Sequence, residues 1–229
     1  MHRFRIILTF ALFLAVSVLH LIACYRRYPK LRGSTKILLM PLLCAFYLAY
    51  THDIRLLVIA ALLFGWIGDI FLLVKNNRSC MMLGICAFAL GHISYIAAIL
   101  STYRTHPHVL HVLMTGLLCV IWMVFVCVKL LPYAPKSLKK PGFVYAFLLS
   151  VTCLSALYRF LSTSKDNYLI AFIGGLFFIL SDTLLTGQQY RKELKHGNFY
   201  VMLTYIVAQT LLIIGLTQTG GIRIWNLPL

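Results

Sequence analysis

The chain has 229 residues, 61% of them hydrophobic and only 11% charged, where a soluble domain carries about 25% charged residues. This excludes a soluble globular enzyme and leaves no room for a separate soluble domain. The net charge of +16 rests on 21 Lys and Arg, but they are scattered over short loops with no basic stripe interleaved with aromatics, which excludes nucleic acid as a partner and fits the positive-inside rule.

Apolar runs of spanning length recur from end to end. The expected fold is an all-α membrane protein, an eight-transmembrane-helix bundle forming one polytopic domain over 1–229. Spans are predicted at 5–24, 35–50, 54–74, 81–101, 109–131, 142–162, 168–187 and 198–217, each near the roughly 20 residues a bilayer requires, the second being short. The first span follows MHRFR and resembles a signal peptide, and Leu21-Ile22-Ala23-Cys24 matches a lipoprotein cleavage pattern. The five basic residues that follow (Arg26, Arg27, Lys30, Arg32, Lys36) should hold that flank in the cytoplasm, so an uncleaved first helix is expected. Lys36 opens the second span, either as a snorkelling anchor or as a ligand for a head-group phosphate. Lys75, Arg78 and Arg191 are further phosphate candidates, each better explained by topology.

The third span carries Asp69 in FGWIGDIFLL (64–73), the only charged residue of 56–74. The fourth carries His92 in GHISY, with Gly84, Phe88, His92 and Tyr95 on one helical face. The loop before the fifth span holds His106, His108 and His111, which are better explained as surface histidines than as metal ligands. Within the spans only His20 and His92 remain, too few for a three-His zinc site, so no metal is expected. The seven cysteines form no Cys-x-x-Cys and are odd in number; buried free thiols are expected rather than a disulfide framework. No nucleophile elbow, Walker loop or dinucleotide glycine pattern appears.

The seventh span repeats the phrase of the third: Asp182 sits in FFILSDTLL (177–185), again Phe, three residues, a small residue, Asp, and Leu at the third place beyond. An acid in the bilayer costs roughly 2.5–3.5 kcal/mol on insertion scales, so two in matched phrases point to use. Each is followed at 23 residues by a polar aromatic, His92 or Tyr205. This echo suggests a parallel four-plus-four repeat, about 1–104 and 105–229. Tyr205 and Gln209 lie one turn apart on the eighth span and either line the site or simply tie helices together. Ser181 neighbours Asp182 but points about 100° away around the helix.

Eight spans put both termini on one side. That side holds seven of the Lys and Arg (Arg3, Arg5, Arg55, Arg104, Arg159, Lys165 and Arg223) and the other fourteen, which places both termini outside the cytoplasm. Asp69 and Asp182 then each lie about a turn and a half from the cytoplasmic end of a span. Two carboxyls held near each other can share one proton, leaving one a donor and the other ionised, which is equipment for general acid–base chemistry.

Taken together, Lys36 and Pro41 in STKILLMPLL, Gly68-Asp69, the Phe88/His92/Tyr95 run, GGLFFILSD at 174–182 and TYIVAQ at 204–209 resemble the YhhN-like lysoplasmalogenase family. The set is ordered and spans most of the chain, although no single motif is specific. Ile37 stands beside Lys36 where the family pattern has Pro. The resemblance implies a membrane enzyme, without an organic cofactor, that hydrolyses the vinyl ether bond of lysoplasmalogens to a fatty aldehyde and glycerophosphoethanolamine or glycerophosphocholine. One of Asp69 and Asp182 would donate a proton to the vinyl ether; the other would stabilise the resulting cation and activate water. His92, Tyr95, Tyr205 and Gln209 would orient them. The partners expected are the lipid substrate and membrane lipids, with a bacterial inner membrane as host. Two rivals remain: a proton-coupled transporter using the same acids as a relay, and a non-catalytic membrane scaffold.

Overall fold

A computed structural model describes residues 2–51, 53–74, 77–101, 108–190 and 194–217, and among these residues the regular structure is all helical. Its helices are α1 (His2–Arg26), α2 (Pro29–Tyr50), α3 (Leu56–Leu73), α4 (Arg78–Leu100), α5 (Val109–Phe125), α6 (Lys136–Thr163), α7 (Asp166–Tyr190) and α8 (Gly197–Thr217). α5 runs on through a π-helical turn, Val126–Leu130, and a short 3-10 turn, Leu131–Tyr133. With α5 taken together with these turns, Val109–Tyr133, all eight helices among the described residues are long and apolar enough to cross a membrane, as the sequence predicts, and the chain is an integral multi-pass membrane protein.

The boundaries differ from expectation in ways that matter for the site. α2 starts at Pro29, where the fixed φ of proline suits a first helical turn, so Lys36 lies two turns inside the helix rather than at its mouth. α7 continues to Tyr190. Asp182 is therefore about two turns from its helix end, and Asp69 about one.

The peripheral helices hide one stripe and leave the rest exposed. On α1 the buried positions Phe13, Ser17, His20 and Cys24 recur at helical spacing, and His20 Nδ1 meets the Thr35 hydroxyl of α2 at 2.8 Å. On α5 the large side chains Leu110, Leu113, Leu117 and Ile121 are all exposed, and this helix packs mainly on α6. α8 is the most enclosed, packed on α7 along its length and touching α1 and α2. α7 reaches both α6 and α8 because Gly174 and Gly175 have no side chain. A Cβ on Gly174 would lie 2.8 Å from the Leu212 nitrogen of α8, and one on Gly175 2.9 Å from Cys153 of α6.

Pro41 lacks the N–H that would bond the Ile37 carbonyl one turn earlier. The Trp66 indole of α3 fills that vacancy, donating to the Ile37 oxygen at 2.8 Å. The half of α2 that carries Lys36 is thereby held against α3.

Two arginines assigned to the outer flank by charge counting close the carbonyl ends of helices. Arg55 donates to Ala98 O at 2.9 Å and to Leu216 O. Arg159 is buried and donates to Ile99 O at 3.2 Å and to Leu100 O. Cations suit the negative ends of α4 and α8. Replacing Arg159→Leu is expected to cost about 2 kcal/mol, the worth of a charged hydrogen bond, read as a lowered unfolding midpoint of the purified protein in detergent. All seven cysteines are unpaired; Cys24 and Cys153 are buried as expected, whereas Cys86 and Cys127 are exposed.

Candidate functional site: two carboxylates at the end of a cavity

Asp69 and Asp182 line one cavity of about 660 Å³. Asp69 is 2% exposed, so in this surrounding its charge needs partners. It has two. Lys36 Nζ of α2 lies 3.0 Å from Oδ1, and the Tyr205 hydroxyl of α8 donates to Oδ2 at 2.8 Å. Three helices meet on this one carboxylate. Asp182 is held differently: Oδ2 accepts a hydrogen bond from the Tyr145 hydroxyl of α6.

The two Asp–Tyr pairs share an aromatic wall. The Phe88 ring lies 6.4 Å from both Tyr145 and Tyr205, and Phe178 lies 5.5 Å from Tyr205 in an edge-to-face arrangement. Gly68, beside Asp69, makes room for this: a Cβ there would fall 2.6 Å from the Phe88 ring. The small residue before Asp69 thus lets the aromatic wall approach α3. The small residue before Asp182 does something else, because Ser181 donates to the Val201 carbonyl at 3.1 Å and ties α7 to α8.

The remaining residues singled out from sequence form a layer behind the carboxylates. Tyr95 donates to Gln209 Oε1 at 2.7 Å, joining α4 to α8. His92 bonds neither carboxylate. Its ring packs 4.8 Å from Phe178 and 5.5 Å from Tyr145. The Thr152 hydroxyl donates to the Leu148 carbonyl at 2.9 Å and sits 3.1 Å from His92 Nδ1. With its proton so engaged it accepts from Nδ1–H, which makes Nε2 an acceptor, buried and without a partner among the described residues. His108 and His111 pack at a tilt to each other at the start of α5, 5.2 Å between rings, and neither lines the cavity. His106, Lys75 and Arg191 fall outside the described residues; Arg78 is exposed at the start of α4.

Tyr145 and Thr152 were not singled out from sequence. Both lie on α6 among other polar side chains such as Ser150, Ser155 and Tyr158, and nothing local distinguishes Tyr145 from the other tyrosines, 13 in all. The site is also asymmetric across the two proposed half-repeats. Asp69 of the first half takes Tyr205 of the second, while Asp182 takes Tyr145 of its own half.

From the carboxylates the cavity runs to the helix end where Arg32, Asn77, Gln188, Gln189 and Asn198 lie, and sideways along Met81, Ile85, Trp122, Val126, Leu130 and Leu131. The π-helical turn, a feature frequent at functional sites, forms part of this apolar branch. On the other side of the acids the bundle is packed with buried Tyr47, Tyr95, Ile99, Leu212 and Ile213.

A polytopic helical bundle with two differently partnered carboxylates at the end of a mostly apolar, partly polar cavity defines an integral membrane protein with an intramembrane acidic site. The YhhN family model matches residues 31–216, and the chain belongs to the YhhN family. No curated protein and no solved structure matches it.

Proposed function

We propose that this protein hydrolyses the vinyl ether bond of lysoplasmalogens, releasing a fatty aldehyde and a glycerophosphodiester. The observation that carries the reading is the unequal partnering of the carboxyls. Asp69 faces an ammonium at 3.0 Å, whereas Asp182 meets the Tyr145 phenol. Asp69 is then the resident carboxylate and Asp182 the proton donor. Membership of the YhhN family supports the substrate class, and the apolar branch of the cavity suits a single hydrocarbon chain.

The chemistry closes on these residues. Asp182 gives its proton to the β-carbon of the vinyl ether, and the ether oxygen's electrons make an oxocarbenium ion. Asp69 stabilises that cation electrostatically. Water adds to the cationic carbon, its proton returns to Asp182, and the hemiacetal collapses to aldehyde and alcohol. Lys36, a candidate for either an anchor or a head-group phosphate ligand, spends its ammonium first on Asp69, and it lines the cavity where a ligand can also reach it. Tyr145→Phe is expected to lower kcat about tenfold by removing one hydrogen bond to the acid, about 1.4 kcal/mol, while KM changes little. By the charge bias, the cavity mouth faces the cytoplasm of a bacterial inner membrane and both termini lie outside.

The test is incubation of purified protein with a lysoplasmalogen panel, reading aldehyde, with ester-linked lysophospholipid as control. Aldehyde from the alkenyl lipids alone supports the proposal. Uptake into proteoliposomes without product would favour the transporter instead, although a relay needs access from both faces and the acids here open toward one helix end.

A further inference from the structure

A second cavity, of about 220 Å³, adjoins the first at its mouth. Arg32, Gln188 and Asn198 line both. Its other walls include Arg27, Tyr28 and Pro29, where α1 passes into α2, and His196 and Gly197, where α8 begins. The helix dipoles of α2 and α8 therefore present their positive ends here together, beside two guanidinium groups. The Nε2 of Gln188 is buried there without a partner among the described residues.

The backbone is strained at the same place. Arg27 and His196 both have φ of 59°, a region that side chains other than glycine's rarely adopt and that clusters at ligand clamps. His196 is locked by stacking on Tyr25 at 4.1 Å and by donating Nδ1–H to the Tyr25 carbonyl at 3.3 Å. Neither residue takes part in the chemistry derived above.

We propose that this smaller cavity is the phosphate subsite: a phosphodiester anion held by Arg27, Arg32 and the N-terminal ends of α2 and α8, with the ligand's glycerol leading inward to the carboxylates. This rests on the lysolipid reading of the larger cavity. The register agrees. Arg32 and Lys36 are one turn apart on α2, about 6 Å along its axis, and Lys36 touches Asp69. Five bonds separate the phosphorus from the ether oxygen of such a lipid, which at about 1.2 Å of advance per bond is the same distance. Guanidinium groups suit the anion's paired oxygens better than an ammonium would.

The test uses probes without a vinyl ether bond, so that it stands apart from hydrolysis. A saturated alkyl lysophosphocholine, the matching alkylglycerol without phosphate, and chain-free glycerophosphocholine are bound to the purified full-length protein. The protein is expected to bind the alkyl lysophosphocholine at least tenfold more tightly than the alkylglycerol. Arg27→Gln/Arg32→Gln is expected to abolish that preference while alkylglycerol binding is kept, which also reports the fold. A double variant that keeps the wild-type preference overturns the proposal. If the double variant no longer binds alkylglycerol, Arg27→Gln alone, a change at an exposed side chain, decides: a preference reduced at least threefold supports the subsite and an unchanged one overturns it. The alkyl lysophosphocholine is also expected to bind at least tenfold more tightly than glycerophosphocholine, and equal affinity overturns the assignment to a lipid rather than a free phosphodiester. Absence of aldehyde release from alkenyl lipids, with the phosphate preference intact, would remove the hydrolysis reading and leave this subsite standing.

Discussion

Asp182→Asn is expected to lower aldehyde release by 100-fold or more, the range of roughly 10²–10⁴ that a positioned general acid contributes. The carboxamide keeps the shape and can still accept from Tyr145, whose hydroxyl bonds Asp182, but it carries no transferable acidic proton. Asp69→Asn is expected to fall by a similar factor for a different reason. It removes the negative charge opposite the developing cation, where the burial of Asp69 makes charge count most. The two losses should not multiply in the double variant, because the acids serve one transition state. Both singles should remain folded and elute as wild type does. Near-normal aldehyde release from both folded variants would remove the two-carboxylate mechanism.

Lys36→Met is expected to be the most destabilising single change at the site. Its side chain is 12% exposed and that of Asp69 3%, so removal of the ammonium leaves a buried carboxylate without its counterion, at a cost of about 3–5 kcal/mol. Lys36→Met/Asp69→Asn should recover most of that loss, since a neutral amide needs no cation and can still accept from the Tyr205 hydroxyl, now 2.8 Å from Asp69 Oδ2. Thermal unfolding of wild type, Lys36→Met, Asp69→Asn and the double variant in one detergent checks this. Equal midpoints for wild type and Lys36→Met would mean that the ion pair is not formed in the folded protein. The double variant should regain stability and not activity, which separates the structural role of the pair from its chemical one.

The eight spans were legible because membrane length imposes a simple rule on apolar runs, and the acids were legible because a charge in such a run is costly. Asp69 and Asp182 announced themselves by this expense, and Tyr205 by its echo of His92. Partnership was not legible. Lys36 looked like an anchor because its span seemed to begin at 35, and only the extension of α2 back to Pro29 sets it deep enough to meet Asp69. Tyr145 carries no local mark, since its role depends on the approach of α6 to α7 across Gly175. Arg55 and Arg159 were counted as topology signals, yet they bond the carbonyl ends of α4 and α8. Periodicity and length are properties of one helix; which side chains meet is set by small residues that control how closely helices approach.

The central claim is that a carboxylic acid protonates the β-carbon of a vinyl ether. The most direct measurement is hydrolysis of an alkenyl lysolipid by the purified protein in deuterium oxide, with the aldehyde trapped by reduction as it forms and examined by mass spectrometry. One deuterium on the carbon next to the former aldehyde carbon is the expected result, because the exchanged acid delivers its deuteron to that carbon. An aldehyde without that deuterium would contradict protonation at carbon, and so would the absence of aldehyde altogether.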